Sequence, residues 1–325
     1  MKSMEGIALA GNILVDKINE IKAYPREGEL TKIVGLKKSV GGCVPNVGID
    51  LKKIDKELKV YAIGKVGDDE EGEFVNEVFS QNGLDTTLLS VVPDEKTTFT
   101  EVMSVTGGQR TFFTYAGADG KLALEDIDFE KISPKMLHLG YFLLLEKIDG
   151  GEGVKILEEA SKRGILTSID LVSENSDRYS IVVPCLPHTD YLIINEVEAG
   201  GITGLSPEKK NLEAIAEKLM EMGVRQKVII HMRDMAVCLS KDGFTKVGSL
   251  EVDSSMIKGT TGAGDAFCAG ALYALYCGKS DKEVLEFASS AAAVSLRSAD
   301  ATSGLMSEDE IIKYCSNLKR KNICL

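Results

Sequence analysis

Short apolar runs alternate with segments of helical period along most of this chain, and that alternation constrains its fold more than any other feature. The runs Ile7–Ala10, Val60–Ile63, Met136–Leu139, Ile165–Ile169, Tyr191–Ile194 and Val228–His231 have the length and composition of strands buried on both faces. Between them, Gly72–Gln81 puts Phe74, Val75, Val78 and Phe79 on one helical face and leads to Gly83 as a C-cap. Val154–Arg163 ends in the same way at Gly164, and Glu208–Met222 at Gly223. Strand and helix in alternation predict an α/β fold, a mostly parallel sheet covered by helices on both faces. A length of 325 residues allows about two ordinary domains, or one large α/β domain with an insertion.

Two stretches break the alternation. Residues 97–106 and 109–115 are β-rich and joined by Gly107-Gly108, which predicts a hairpin. Residues 13–40 hold further extended pieces such as Leu30–Leu36. Together they predict a small second sheet beside the main one. A hairpin of this size is not stable alone. Its alternation puts Phe113 and Tyr115 on one face and Phe112 on the other, so both faces need cover.

Charge and cysteine usage narrow the function. Asp and Glu outnumber Lys and Arg by 50 to 38, a net charge of −12. Such a chain repels phosphate backbones and anionic lipid, and Lys319-Arg320-Lys321 is its one short basic cluster. Neither nucleic acid nor membrane is an expected partner. No run approaches the ~18 apolar residues of a membrane span, and Met1–Gly6 leads into a strand without a signal-peptide core. The seven Cys are irregularly spaced with no C-x-x-C, which predicts free thiols in a reducing cytoplasm. Of the three His, His138 lies inside an apolar strand and reads as a core residue.

The candidate strands end on small or polar residues: Gly11-Asn12, Gly64, Gly140, Asp170 and Asn195. In open parallel sheets, ligands bind outside these carboxyl ends, so the set marks one edge as a site. The sharpest motif is Gly259-Thr260-Thr261-Gly262-Ala263-Gly264-Asp265, followed by a helical pattern that ends at Gly278. Glycines before a helix let backbone N–H groups converge on an anion, with the helix dipole adding favourable potential. A carboxylate in the first turn repels a plain anion. It makes sense as a general base that takes a proton from a hydroxyl attacking a phosphoryl group. Gly278-Lys279-Ser280 lacks the first glycine of a phosphate loop, Tyr273 standing in its place, and reads as a helix C-cap.

With these residues in place, the chain resembles the ribokinase-like (PfkB) family of carbohydrate and nucleoside kinases. GTTGAGD matches that family's D-T-T-G-A-G-D signature. Gly41-Gly42 followed by Asn46 matches its N-terminal Gly-Gly signature, and Gly11 with Asp16 matches its early G-x-x-x-x-D. Asn195 with Glu198 matches its N-x-x-E, and Gly64–Gly72 is similar to its G-x-V/I-G-x-D run with one spacing difference. The matches fall in family order over roughly residues 6–305.

The resemblance implies a single ribokinase-like domain over 1–325, a three-layer α/β/α sandwich with a small β-sheet lid from inserts at about 13–40 and 97–116. It implies an ATP-dependent kinase acting on a small sugar of fructokinase-like or related type, a nucleoside kinase being the alternative. Asp265 would be the base, and Gly262, Ala263 and Gly264 the hole for the transferring phosphate. Asn12, Asp16, Gly41, Gly42 and Asn46 would hold the sugar. Asn195, Thr261, Gly262, Gly264, Ser289 and Arg233 would hold the nucleotide, though Arg233 reads equally as a solvated loop charge. Asn195 and Glu198 would organise Mg²⁺ through water. The lid would pair two subunits into a homodimer.

Three positions depart from the family pattern. Gly259 replaces the first Asp of the signature, so potassium dependence is expected to be weak or absent. His231–Ala236 lacks both glycines of the family's nucleotide loop. Leu14 stands where ribose-specific members carry Asn, which argues against ribose. The first two departures also leave open a non-catalytic ligand-binding protein on the same fold.

Overall fold

The computed structural model describes residues 4–105 and 108–323. The chain runs β1 (Ile7–Gly11), β2 (Leu14–Ile21), β3 (Ile33–Gly41), α1 (Cys43–Ile54), β4 (Val60–Gly67), α2 (Glu70–Gln81), β5 (Asp85–Val92), β6 (Phe99–Val105) and β7 (Arg110–Tyr115). It continues through β8 (Met136–Phe142), α3 (Gly153–Lys162), β9 (Leu166–Leu171), β10 (Tyr191–Asn195), α4 (Glu196–Thr203), α5 (Leu212–Glu221) and β11 (Lys227–His231). The last elements are β12 (Met235–Ser240), β13 (Gly243–Gly248), α6 (Ala263–Tyr276), α7 (Asp281–Ser295) and α8 (Glu308–Cys315).

Nine strands form one sheet in the order β13-β12-β11-β10-β9-β8-β1-β4-β5. It is parallel from β5 to β11 and antiparallel only at β12 and β13. Alternate strand residues enter two separate cores. Ile7, Leu9, Ile193 and Ile229 pack with α1, α6 and α7, whereas Ala8, Ala10, Leu192 and Ile230 pack with α3, α4 and α5. Helices thus cover both faces, the three layers expected.

All six expected strands are present, several longer than their apolar runs. β4 continues through Gly64 to Gly67, and β8 through Gly140 to Phe142. Gly64 is therefore not a strand end facing a ligand: a side chain there would meet Ile13 Cδ1 at 2.4 Å. The helix expected from Glu208 starts at Leu212, after a short 3₁₀ turn over Lys209–Asn211. Gly278 follows α6 in left-handed conformation (φ 71°), while Ser280 caps the next helix, α7. Six cysteines are free thiols, five of them buried, and Cys324 lies outside the described residues.

The small sheet has the order β3-β2-β6-β7. Its β6–β7 hairpin pairs Phe99 with Tyr115 and Ser104 with Arg110. In its turn, Thr106 and Gly107 lie outside the described residues. β2 and β6 run parallel, so this sheet is mixed. Its strands coincide with the two stretches that break the alternation. Every residue of β7 is exposed, and Phe112, Phe113 and Tyr115 show 61%, 57% and 44% of their surface.

Candidate active site

The N-terminus of α6 is where the site is built. Gly262 caps this helix at φ 78°, a conformation that favours glycine, and a side chain there would also meet Ala301 Cα at 2.5 Å. This turn gives α6 its direction. The Ala263 amide donates to the Thr260 carbonyl at 3.3 Å, those of Gly264 and Asp265 have no helical acceptor, and Ala263 and Gly264 line the end of a cavity. Thr260, Ala263, Gly264, Asn195, Arg233 and Ser289 all line that cavity, which has a volume of about 760 Å³. Val252, Ile257, Phe267, Ala292, Ala293 and Leu296 form its apolar wall. A flat heteroaromatic ring fits such a wall, with its anionic end at the helix N-terminus. Ser289 is buried and its hydroxyl has no partner, so it is available to a ligand. Thr261 and Gly262 stand beside the cavity and do not line it.

Asp265 lies in the first turn of α6 and is 6% exposed. Its Oδ2 accepts from Asn46 Nδ2 at 2.9 Å and its Oδ1 from Tyr141 Oη at 2.8 Å. Burial, and next the nearby charge of Asp170, push its carboxyl up to about 7. The hydrogen bonds from Tyr141 and Asn46 pull the other way. The outcome is a carboxyl that changes charge near neutral pH, as a general base should.

The expected sugar residues gather from β1, β2 and the start of α1. Gly42 has φ 96°, and a side chain there would collide with Asn12 Oδ1 at 2.4 Å. The tight turn thus brings Asn12 against the N-terminus of α1, where Asn46 reaches Asp265. Asn12 and Asn46 each keep a buried Oδ1 without a partner. Asp16 lies on β2 beside Gly41, where a side chain would meet its Oδ2 at 2.6 Å. Burial pushes Asp16 up to about 6, and Arg110 on β7 opposes this.

Several members were not singled out from the sequence. Asp119 accepts from Asn12 Nδ2 and Thr98 Oγ1, and burial pushes it up to about 6. Tyr141 follows Gly140, which the sequence marks only as a strand end. Asp170, marked in the same way, accepts from the Tyr141 amide at 2.7 Å. His138 is fully buried and bonds Ser168 Oγ at 2.8 Å, as a core residue would. His138, Asp170 and Cys268 place their ligand atoms within 4.8 Å of one another. His138 Nε2 faces Asp170 Oδ2 at 3.5 Å and Cys268 Sγ at 3.7 Å, while His138 Nδ1 bonds Ser168 and Asp170 Oδ1 accepts from the Tyr141 amide.

Asn195 and Glu198 form a capping box at the start of α4. Asn195 Oδ1 accepts from the amides of Val197 and Glu198, and its Nδ2 donates to Glu198 Oε1 at 2.7 Å. Ser173 Oγ and the Asn195 amide complete the Glu198 carboxyl, 3% exposed, which burial pushes up to about 7. These engaged polar atoms do not fit direct ligation of a metal. They do fit a hydrated Mg²⁺ held through its water, since a nearby cation favours the ionised carboxylate.

Comparison with known proteins agrees with this geometry. The sequence profile described as pfkB family carbohydrate kinase matches residues 9–308. A 5-dehydro-2-deoxygluconokinase from Geobacillus thermodenitrificans is 27% identical, covering 98% of this chain and 95% of the relative. A ribokinase from Arabidopsis thaliana is 25% identical over 94% of this chain and 80% of the relative. Among solved structures, Arabidopsis thaliana ribokinase complexed with ribose and ATP superposes with a TM-score of 0.82 at 21% identity, covering 96% of this chain and 98% of that one. Ribokinase from Thermotoga maritima gives 0.78 at 22%, covering 97% and 100%.

Proposed function

The chain belongs to the pfkB family of carbohydrate kinases, and from that premise we propose that it transfers the γ-phosphate of ATP to a hydroxyl of a small sugar. The observation that carries this reading is the pairing of a buried, near-neutral carboxyl, Asp265, with the first-turn amides of its own helix. One group takes the proton of the attacking hydroxyl, and the others take the charge that develops on the transferring phosphoryl group.

The nucleotide occupies the cavity, its base against Phe267, Val252 and Leu296 and its phosphates toward Gly262, Ala263 and Gly264. Asn195, Thr261, Ser289 and Arg233 complete its contacts. The sugar lies between α1 and the small sheet, held by Asn12, Asp16 and Asn46 beside Gly41 and Gly42. Mg²⁺, held through water by Asn195 and Glu198, would supply charge neutralisation at the phosphates. Gly259 offers no carboxylate, so potassium dependence is weak or absent. The small sheet acts as a lid on one domain spanning 1–325, and its exposed apolar residues join two subunits. Free, mostly buried cysteines fit a cytoplasmic enzyme.

An ADP-release assay over a panel of sugars, sugar acids, sugar phosphates and nucleosides tests this reading. The panel includes 5-dehydro-2-deoxygluconate and ribose because relatives carry those names. At least one sugar or sugar acid is expected to support ADP release that also needs Mg²⁺. Release supported by nucleosides alone, or by nothing in the panel, contradicts the proposal.

A further inference from the structure

In this structure the base already holds a hydroxyl. Tyr141 Oη donates to Asp265 Oδ1 at 2.8 Å, the relation that a reactive sugar hydroxyl must adopt to lose its proton. Tyr141 reaches this position through an uncommon backbone. Its φ is 61°, and Leu143, two residues on, has φ 84°. A bulky residue in the left-handed region is rare and needs surroundings that enforce it.

Those surroundings are visible. The pairing of β8 with β9 slips between Leu139 and Phe142. Asp170 Oδ1 accepts the Tyr141 amide at 2.7 Å and fixes the turn. Gly140 lets the chain pass close to α1, since a side chain there would meet Cys43 Sγ at 2.2 Å. Strand slip, anchored amide and close approach together deliver one phenol to one carboxylate oxygen. The opposite oxygen is served by Asn46, whose role needs no unusual backbone.

We propose that Tyr141 is a stand-in for the acceptor hydroxyl: with the sugar site empty it keeps Asp265 hydrogen-bonded and denies that oxygen to water, and the incoming sugar displaces it. This rests on Asp265 being the base. Tyr141 is thus a positioning residue whose removal has opposite effects on water and on sugar from those of a permanent orienting group. Without its hydroxyl, water reaches the base and hydrolyses ATP. The sugar, meanwhile, no longer competes with the phenol. A permanent orienting group would instead lower kcat on removal and leave hydrolysis alone.

The test is Tyr141→Phe, which keeps the ring and its packing. With ATP and Mg²⁺ and no sugar, ADP release is expected to rise about 2–10-fold, the worth of one hydrogen bond. KM for the best sugar of the panel should fall by a similar factor, with kcat within about twofold. A second readout needs no turnover. The chain has nine Tyr and no Trp, so tyrosine emission is directly visible. Adding that sugar without nucleotide should change it in the wild type and much less in Tyr141→Phe. Unchanged sugar-free hydrolysis with a raised KM, or equal emission changes in both proteins, overturns the proposal. Asp265→Asn is the control on the underlying reading. Full transfer by that variant refutes the base, whereas its inactivity beside a silent Tyr141→Phe refutes the stand-in alone.

Discussion

Asp265 concentrates the argument at the scale of single residues. Its carboxyl, pushed up to about 7 by burial and by Asp170, must be ionised to accept a proton. The rate with sugar is therefore expected to fall about tenfold per pH unit below pH 7 and to level off above it, a profile that initial rates across pH 5–9 would reveal. The same shift predicts a stability effect of definite sign. A carboxyl whose folded pKa exceeds its unfolded value binds more protons when folded, so its contribution is full below about pH 4 and is lost as pH rises through about 7. Asp265→Asn removes that loss. It should raise Tm at pH 8 by about 2–4 °C or more, and by clearly less at pH 5, as measured by scanning calorimetry. The variant should still fold, because the unpartnered Asn46 Oδ1 can turn toward the new amide. Asp265 was legible because its glycine-rich approach and its helix are contiguous in sequence. Asp119 and Tyr141 were not, because they join Asn12 and Asp265 only through sheet order, which brings positions 107 and 124 residues apart into contact.

Among the elements, α6 and its cap decide whether phosphate is held. Gly262→Ala puts a Cβ 2.5 Å from Ala301 Cα at a φ of 78°. It should cost about 1–3 kcal/mol of stability, seen as a lower midpoint in urea, and displace the first-turn amides enough to raise KM for ATP. Unchanged ATP affinity in a folded variant would place the phosphates elsewhere. The strands that carry the site were legible because burial on both faces leaves them uniformly apolar. β12 is apolar and buried over Met235–Cys238 and escaped because its start falls within His231–Ala236, the segment aligned with the nucleotide loop; β5 and β13 escaped for the opposite reason. They occupy the two ends of the sheet, where fewer faces are covered and polar residues such as Thr86, Thr87 and Lys246 interrupt the pattern. The start of α1 shows a binding signature in the sequence but no helical period, since Gly41-Gly42 and Pro45 mask it. Pro45 in fact suits the first turn, where no amide donor is needed.

For the whole molecule, the small sheet poses the main question of assembly. Register places Phe112 on the Asp16 face and Phe113 and Tyr115 on the other, and all three are exposed. Leu36, on the opposite edge strand, is 80% exposed. A lone subunit gains nothing from so much bare apolar surface. Replacing Phe112 and Phe113 with Ser should shift sedimentation from dimer to monomer at micromolar concentration and raise KM for the sugar more than for ATP. A wild-type monomer of ordinary activity would exclude lid pairing. Exchanging sodium for potassium at constant ionic strength should leave the rate within about twofold, because Gly259 carries no carboxylate where the family signature has Asp. The kinetic expectations depend on one claim, that Asp265 drives phosphoryl transfer to a sugar. It is tested most directly by detecting the phosphorylated sugar and ADP by mass spectrometry and ³¹P NMR in parallel reactions of wild type and Asp265→Asn. Equal amounts of both products from the wild type, and a rate lower by about 10²–10⁴-fold in the variant with ATP still bound, are the predicted result. Near-wild-type phosphorylation by Asp265→Asn would contradict it.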